Sequence, residues 1–176
     1  MNRAYSVLEV KAADDSSRKF TGIASTPSTD RMGDIVEPKG AVFKLPIPLL
    51  WQHDSKDPVG WVTKAKVTKD GIEVEGEIAK VDEPGELQNR LLTAWQMLKS
   101  KLVRGLSIGF NSIEHEPIEG TRGLKFKRWE WLELSAVTIP ANQEATITAI
   151  KSIDQNFLAA SGRKSTAVAG NSKRSK

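Results

Sequence analysis

Over most of the chain, apolar and polar residues alternate with period two, the pattern of strands that bury one face. Residues 5–10 and 20–25 carry it, separated by the polar loop 13–18, and Thr26 with Pro27 ends the second run. Turn chemistry follows at Asp30, Arg31, Met32 and Gly33. The stretch 44–53 is apolar but has Pro46 and Pro48 near its start. That start is expected to be irregular or at a sheet edge, with Leu49, Leu50 and Trp51 as a short buried run ending at His53. Residues 61–68 and 72–78 flank Asp70 and Gly71, a pair that accepts the positive φ of a tight hairpin turn. Between 84 and 102 the period changes: Leu87, Leu91, Trp95, Leu98 and Leu102 fall on one face of a helix that Gly105 can end. Strand character returns over 106–112 and, after the turn-rich 117–123, over 125–139. Pro140, Ala141 and Asn142 interrupt it, 145–150 reads as another strand, and Ile153 with Phe157 predicts a short C-terminal helix. Many strands around one long helix, without regular alternation, predict an α+β fold: a β-rich, barrel-like, mostly antiparallel sheet rather than a doubly wound one.

Composition narrows the picture. The 176 residues, 39% hydrophobic and 27% charged, suit one soluble globular domain. No apolar run approaches the roughly 18 residues of a membrane span, and the first residues lack a signal-peptide pattern. With no cysteine there is no disulfide, no thiolate nucleophile and no cysteine zinc site, and His53 and His115 are the only imidazoles. The net charge of +4 and pI near 9.3 invite a nucleic-acid reading until the charge is located. Five of the 26 basic residues fall in 161–176 with no acid, leaving 21 basic against 22 acidic groups in the first 160. The chain therefore divides into a nearly neutral domain, 1–160, and a basic tail, 161–176, expected to be flexible because its Ser, Ala and Gly offer too little apolar surface to offset ordering. Interleaved aromatics and a recognition helix, which specific nucleic-acid binding would need, are missing from the pattern.

Candidate chemistry begins at Gly105-Leu-Ser-Ile-Gly-Phe110. Alternation puts Leu106, Ile108 and Phe110 on one face and Ser107 on the other, between two glycines. A bare patch around a hydroxyl lets a peptide backbone approach a nucleophile; on local sequence alone, a serine on a solvent face with glycines at bends is the simpler reading. A G-x-S-x-G nucleophile elbow is rejected, because that motif works between a strand and a following helix and here the helix comes first. His53 lies where a buried run meets the polar stretch Asp54, Ser55, Lys56, Asp57, a place for a partly desolvated general base or for an ordinary strand-end histidine. Adjacent strand positions point apart, so Asp54 is not expected to orient it.

Glu133 is an acid inside the apolar run 131–139, on one face with Ser135 and Val137. Such a carboxylate needs a partner, either a cation across the sheet or the Nδ1 proton of a histidine. His115 sits among Glu114, Glu116 and Glu119, where a solvated loop residue is expected. Residues 30–34 lack the liganding spacing of a calcium loop, and the absence of a close helical histidine pair argues against a metal site.

Taken in order, Phe20-Thr-Gly-Ile-Ala-Ser25, Asp30-Arg-Met-Gly-Asp34 with Gly40-Ala-Val-Phe43, Gln52-His-Asp54 with Pro58-Val-Gly60, the Ser107 strand and Glu133-Leu-Ser-Ala-Val-Thr-Ile-Pro-Ala-Asn142 resemble the prohead (capsid maturation) serine protease family of tailed bacteriophages. The resemblance spans about residues 20–150. It implies a fold related to herpesvirus assemblins and an endopeptidase that cuts scaffold and major capsid protein extensions, and itself, inside the immature procapsid in the host cytoplasm. It further implies His53 as base, Ser107 as nucleophile and Glu133 as third member, with no metal or organic cofactor and with a homo-oligomer, such as a dimer, as the expected assembly. The herpesvirus relatives use a second histidine in the third role, which keeps His115 as the alternative. Oxyanion donors are expected among amides near Gly109 or in the 140–142 bend. The competing class is a non-catalytic scaffold- or capsid-binding module of the same fold.

Overall fold

The computed structural model describes residues 18–139 and, for the backbone, 2–7. The expected strand 145–150, the C-terminal helix around Ile153 and Phe157, the tail 161–176, the 140–142 bend and most of the loop 13–18 lie outside the described residues.

Nine strands and one α-helix form the described part: β1 (Asn2–Val7), β2 (Lys19–Ser25), β3 (Ile35–Val36), β4 (Ala41–Val42), β5 (Ile47–Trp51), β6 (Asp54–Val67), β7 (Ile72–Ile78), α1 (Glu86–Lys99), β8 (Gly105–Pro117) and β9 (Leu124–Val137). The sheet runs β1-β8-β9-β5-β6-β7-β2, and β3 and β4 pair with the earlier part of β9. Of the six neighbour pairs along this path, five are antiparallel. The sixth, β5 with β9, is parallel, as are β3 and β4 with β9. The sheet is thus a curled, mixed half-barrel in which the edge strands β1 and β2 approach each other. The alternating pattern foretold the β-rich class and the antiparallel hairpins; the parallel seam along β9 was not in it.

Strand periodicity shows most cleanly in β7, where Ile72, Val74, Gly76 and Ile78 are buried and Glu73 and Glu75 point to solvent. Opposite those glutamates, Lys64 and Lys66 of β6 make exposed ion pairs of 2.8 and 3.8 Å, which contribute on the order of 0–1 kcal/mol each. The β6–β7 connection is longer than the expected two-residue turn. Residues 68–71 form it, the Thr68 hydroxyl accepts from the Asp70 and Gly71 amides, and of the Asp-Gly pair only Gly71 has positive φ. Upstream, β6 begins at Asp54 instead of near Trp61, because the stretch read as a polar loop pairs with β5.

As expected from Pro46 and Pro48, the start of the stretch is irregular and then unpaired on one side: residues 44–46 are outside any strand, Ile47 and Pro48 pair with β6 alone, and only from Leu49 does β5 lie inside the sheet. Its pairing with β9 starts at Leu49, past the prolines that lack an N–H. The helix is shorter than 84–102. Leu91, Ala94, Trp95 and Leu98 are buried, whereas Leu87 and Leu102 are exposed. Lys101, in the left-handed conformation (φ 61°), ends the helix four residues before Gly105, and Val103 enters the core where Leu102 was expected. That early stop frees the chain to deliver Gly105 as the first residue of β8. Arg90 on the helix pairs with Asp57 of β6 at 3.0 Å, fixing α1 against the strand that leaves His53.

Candidate active site

Inside the apolar run of β9, Glu133 and Ser135 are buried, Ser135 completely. The β8–β9 register sets Gly105, Ser107 and Gly109 opposite Val137, Ser135 and Glu133. Two rows of side chains therefore face each other across the strand pair, with Ser107 beside Ser135. Ser107 is wholly buried, so the solvent-face reading of that serine does not hold. Gly109 makes room for the acid: a Cβ there would stand 2.2 Å from Glu133 Oε1 and push the carboxylate aside. Of the bare patch that the glycines leave around Ser107, the part at Gly109 has a definite occupant, the Glu133 carboxylate.

His53 reaches the same place from the other side of β9. Parallel pairing sets Trp51 against Ala136, and the two-residue turn of Gln52 and His53 then reverses the chain into β6. Both turn residues have positive φ, 52° and 63°, as a type I′ turn demands, at a cost of roughly 1–3 kcal/mol each for non-glycine residues. Hydrogen bonds to the end of β9 offset that strain. The Gln52 amide N–H donates to Ala136 O (3.0 Å), the Gln52 side chain donates to Thr138 Oγ1 (2.8 Å), and the His53 backbone N–H donates to Ser135 Oγ (3.2 Å).

This turn brings His53 Nδ1 to 2.8 Å from Glu133 Oε1, with both side chains about 5% exposed. A carboxylate accepts, so the contact holds the imidazole proton on Nδ1 and leaves Nε2 as the basic nitrogen. The second carboxylate oxygen is also engaged, since Ser135 Oγ donates to Glu133 Oε2 at 2.7 Å. Trp131 Nε1 donates to the Glu133 backbone carbonyl at 2.7 Å and anchors the strand at that residue.

Of the residues singled out in the sequence, His53 and Glu133 are in direct contact and Ser107 lies on the adjoining strand beside Ser135. His115 is elsewhere. It is on β8 rather than in a loop, exposed, 3.0 Å from Ser112 Oγ and tilted against Phe126. It lies eight positions along the strand from Ser107, roughly 25 Å of extended chain. Sequence reasoning gave no role to Ser135 or Gln52; the available signal was a second polar residue two positions after Glu133 in an apolar strand.

Beside His53 a cleft of about 570 Å³ is lined by Arg31, Met32, Gln52, Val137, Thr138 and Ile139. Met32 and Ile139 are 74% and 67% exposed, giving its walls an apolar character. The loop carrying Met32 is a turn, as its sequence predicted. Asp30 Oδ1 accepts from the Met32 and Asp34 amides (2.8 and 2.9 Å), and Asp34 Oδ1 accepts from the Leu124 amide (2.7 Å). Burial raises the Asp30 carboxyl above its usual range, against the opposing effect of those amides and with the help of the nearby Asp34 charge.

The chain matches the family described as Caudovirus prohead serine protease over residues 8–158. It is 65% identical over 167 residues to a capsid polyprotein of Pseudomonas phage PAJU2, a match that covers 95% of this chain and 25% of that protein. The chain thus spans about a quarter of the polyprotein's length. Prohead proteases of Escherichia phage T5 and Enterobacteria phage HK97 are 30% and 31% identical over 158 and 161 residues. Those matches cover 82% and 86% of this chain and 70% and 68% of the relatives.

Proposed function

The chain belongs to the Caudovirus prohead serine protease family, and from that membership we propose that it is an endopeptidase with Ser107 as nucleophile, His53 as general base and Glu133 as the third member. The observation that carries this reading is the buried 2.8 Å contact of His53 Nδ1 with Glu133 Oε1 beside the Ser107 strand. In the first half-reaction Ser107 Oγ attacks the scissile carbonyl while His53 Nε2 takes its proton. The imidazolium then protonates the leaving amine, and an acyl-enzyme on Ser107 results. Water, deprotonated by the same Nε2, attacks the ester and releases the new carboxyl terminus. Glu133 holds the tautomer and stabilises the transient imidazolium through Nδ1. Its contact with His53 favours Glu133 over the distant His115 for that role. We place the peptide in the cleft beside His53, with apolar substrate groups against Met32 and Ile139.

The substrates we propose are scaffold protein and the extension of the major capsid protein, cut within the immature shell in the host cell, together with the chain's own termini. The capsid polyprotein relative supports this choice, because we read it as a protease joined to a capsid-protein substrate.

Substitution of the triad tests the proposal. Ser107→Ala and His53→Ala should each abolish cleavage of scaffold and capsid protein, leaving only the roughly 10³–10⁴-fold catalysis over water that triad-deficient sites retain. Incubation with both substrates followed by intact-mass analysis reads the outcome. Wild-type processing by a folded Ser107→Ala protein would end the serine-peptidase reading, whereas no processing by the folded wild-type chain would leave a non-catalytic binding module.

A further inference from the structure

Ser135 is buried at the centre of the cluster, and the three-residue mechanism leaves it without a task. We infer that Ser135 is a positioning residue for the reaction: its hydroxyl holds the His53 turn and the Glu133 carboxylate in the one arrangement that aims the imidazole at Ser107. The inference rests on the triad reading above. Its basis is the pair of hydrogen bonds at Oγ, which accepts from the His53 backbone N–H (3.2 Å) and donates to Glu133 Oε2 (2.7 Å). A single oxygen atom thereby joins β9 to a turn of two non-glycine residues at positive φ, and restrains the acid whose other oxygen meets the ring.

The same geometry separates Ser135 from the nucleophile. Its proton is directed to Glu133 and its lone pair to a backbone amide, so it is not aligned to lose a proton to the imidazole. With the hydroxyl removed, Glu133 Oε2 and the His53 amide each lose a buried partner, and carboxylate and ring are free to rotate together. Misplacement of a reacting group by about 1 Å costs on the order of 10²-fold in rate. The Ser135 hydroxyl is engaged by Glu133 and the His53 amide within the cluster and is given no contact with the peptide, so substrate affinity should not change.

Ser135→Ala in the full chain tests this on a short peptide cut from the capsid-protein extension. The expected result is a kcat about 10- to 100-fold lower with KM within twofold of wild type. The downfield proton resonance of His53 Nδ1–H should shift or broaden, which a merely space-filling serine would not cause. A fluorophosphonate should still label the variant at Ser107. Ser135→Cys, which fills the same space with a weak donor, answers the question by the same readouts if alanine unfolds the chain. Wild-type kcat with an unchanged resonance would overturn the inference, and so would wild-type labelling at Ser135. Failure of the triad reading looks different: Ser107→Ala would then remain active, or Ser107 would go unlabelled in the wild type.

Discussion

Glu133→Gln separates charge from shape. The amide fits where the carboxylate does but cannot stabilise an imidazolium, so kcat should fall by up to ~10⁴ while thermal unfolding changes little. His115→Ala should leave the rate within about twofold, given its exposed position far along β8. Peptide-cleavage rates of the two variants decide between them, and a dead His115→Ala with an active Glu133→Gln would move the third role. Asp30 offers a pH-dependent test. Its folded carboxyl titrates above the ordinary 3.8, so the folded state holds the proton more tightly than the unfolded chain, and the resulting stabilisation is lost as pH rises through that raised range. Asn at this position keeps the Oδ1 acceptor for Met32 and Asp34 without burying a charge. Asp30→Asn should melt at or above the wild-type temperature at pH 7, and the difference should vanish below about pH 3.8. Thermal melts at both pH values check the sign.

Among the elements, the β5–β6 turn is the most heavily used. It carries His53, and its strained backbone is tied to β9 through Gln52 as well as through Ser135. Gln52→Ala removes the side-chain bond to Thr138 and should cost about 1 kcal/mol. For a chain of this size that is a drop of roughly 2–4 °C in Tm, with a fall in kcat larger than any rise in KM. Calorimetry and steady-state kinetics on one preparation test both effects. An unchanged kcat would show that the bonds from the Gln52 and His53 backbone amides, to Ala136 O and Ser135 Oγ, hold the turn by themselves. The Arg90–Asp57 pair fixes α1 against β6 in the same region, so the helix supports the strand that follows His53.

For the whole molecule, charge segregation motivates a proposal about residues 161–176. We propose that this basic segment recruits the enzyme to an acidic partner in the assembling shell and is dispensable for chemistry. Truncation after Ala160 should leave cleavage of a short peptide unchanged and reduce incorporation into shells; loss of peptide cleavage by a folded truncated chain, or undiminished incorporation, would refute it. The sequence by itself determined the β-rich class, the position of helix α1 to within a few residues, and the two strands that carry Ser107 and Glu133. Those features are written in residues two to four apart, the range over which strand and helix periods repeat. Even the burial of Glu133 was legible, as an acid in an apolar alternation. Its own strand left a cation or a histidine open as its partner, and the family resemblance implied His53; only the tertiary structure supplies the contact itself. The two lie 80 positions apart and meet because β5 docks parallel to β9, a pairing that leaves no mark in either strand's own pattern. The same docking turns Ser135 from one more small residue on a strand into the link between the His53 turn and Glu133, since a hydroxyl's partners are set by what the fold brings within 3 Å or so of it and not by its neighbours in the chain.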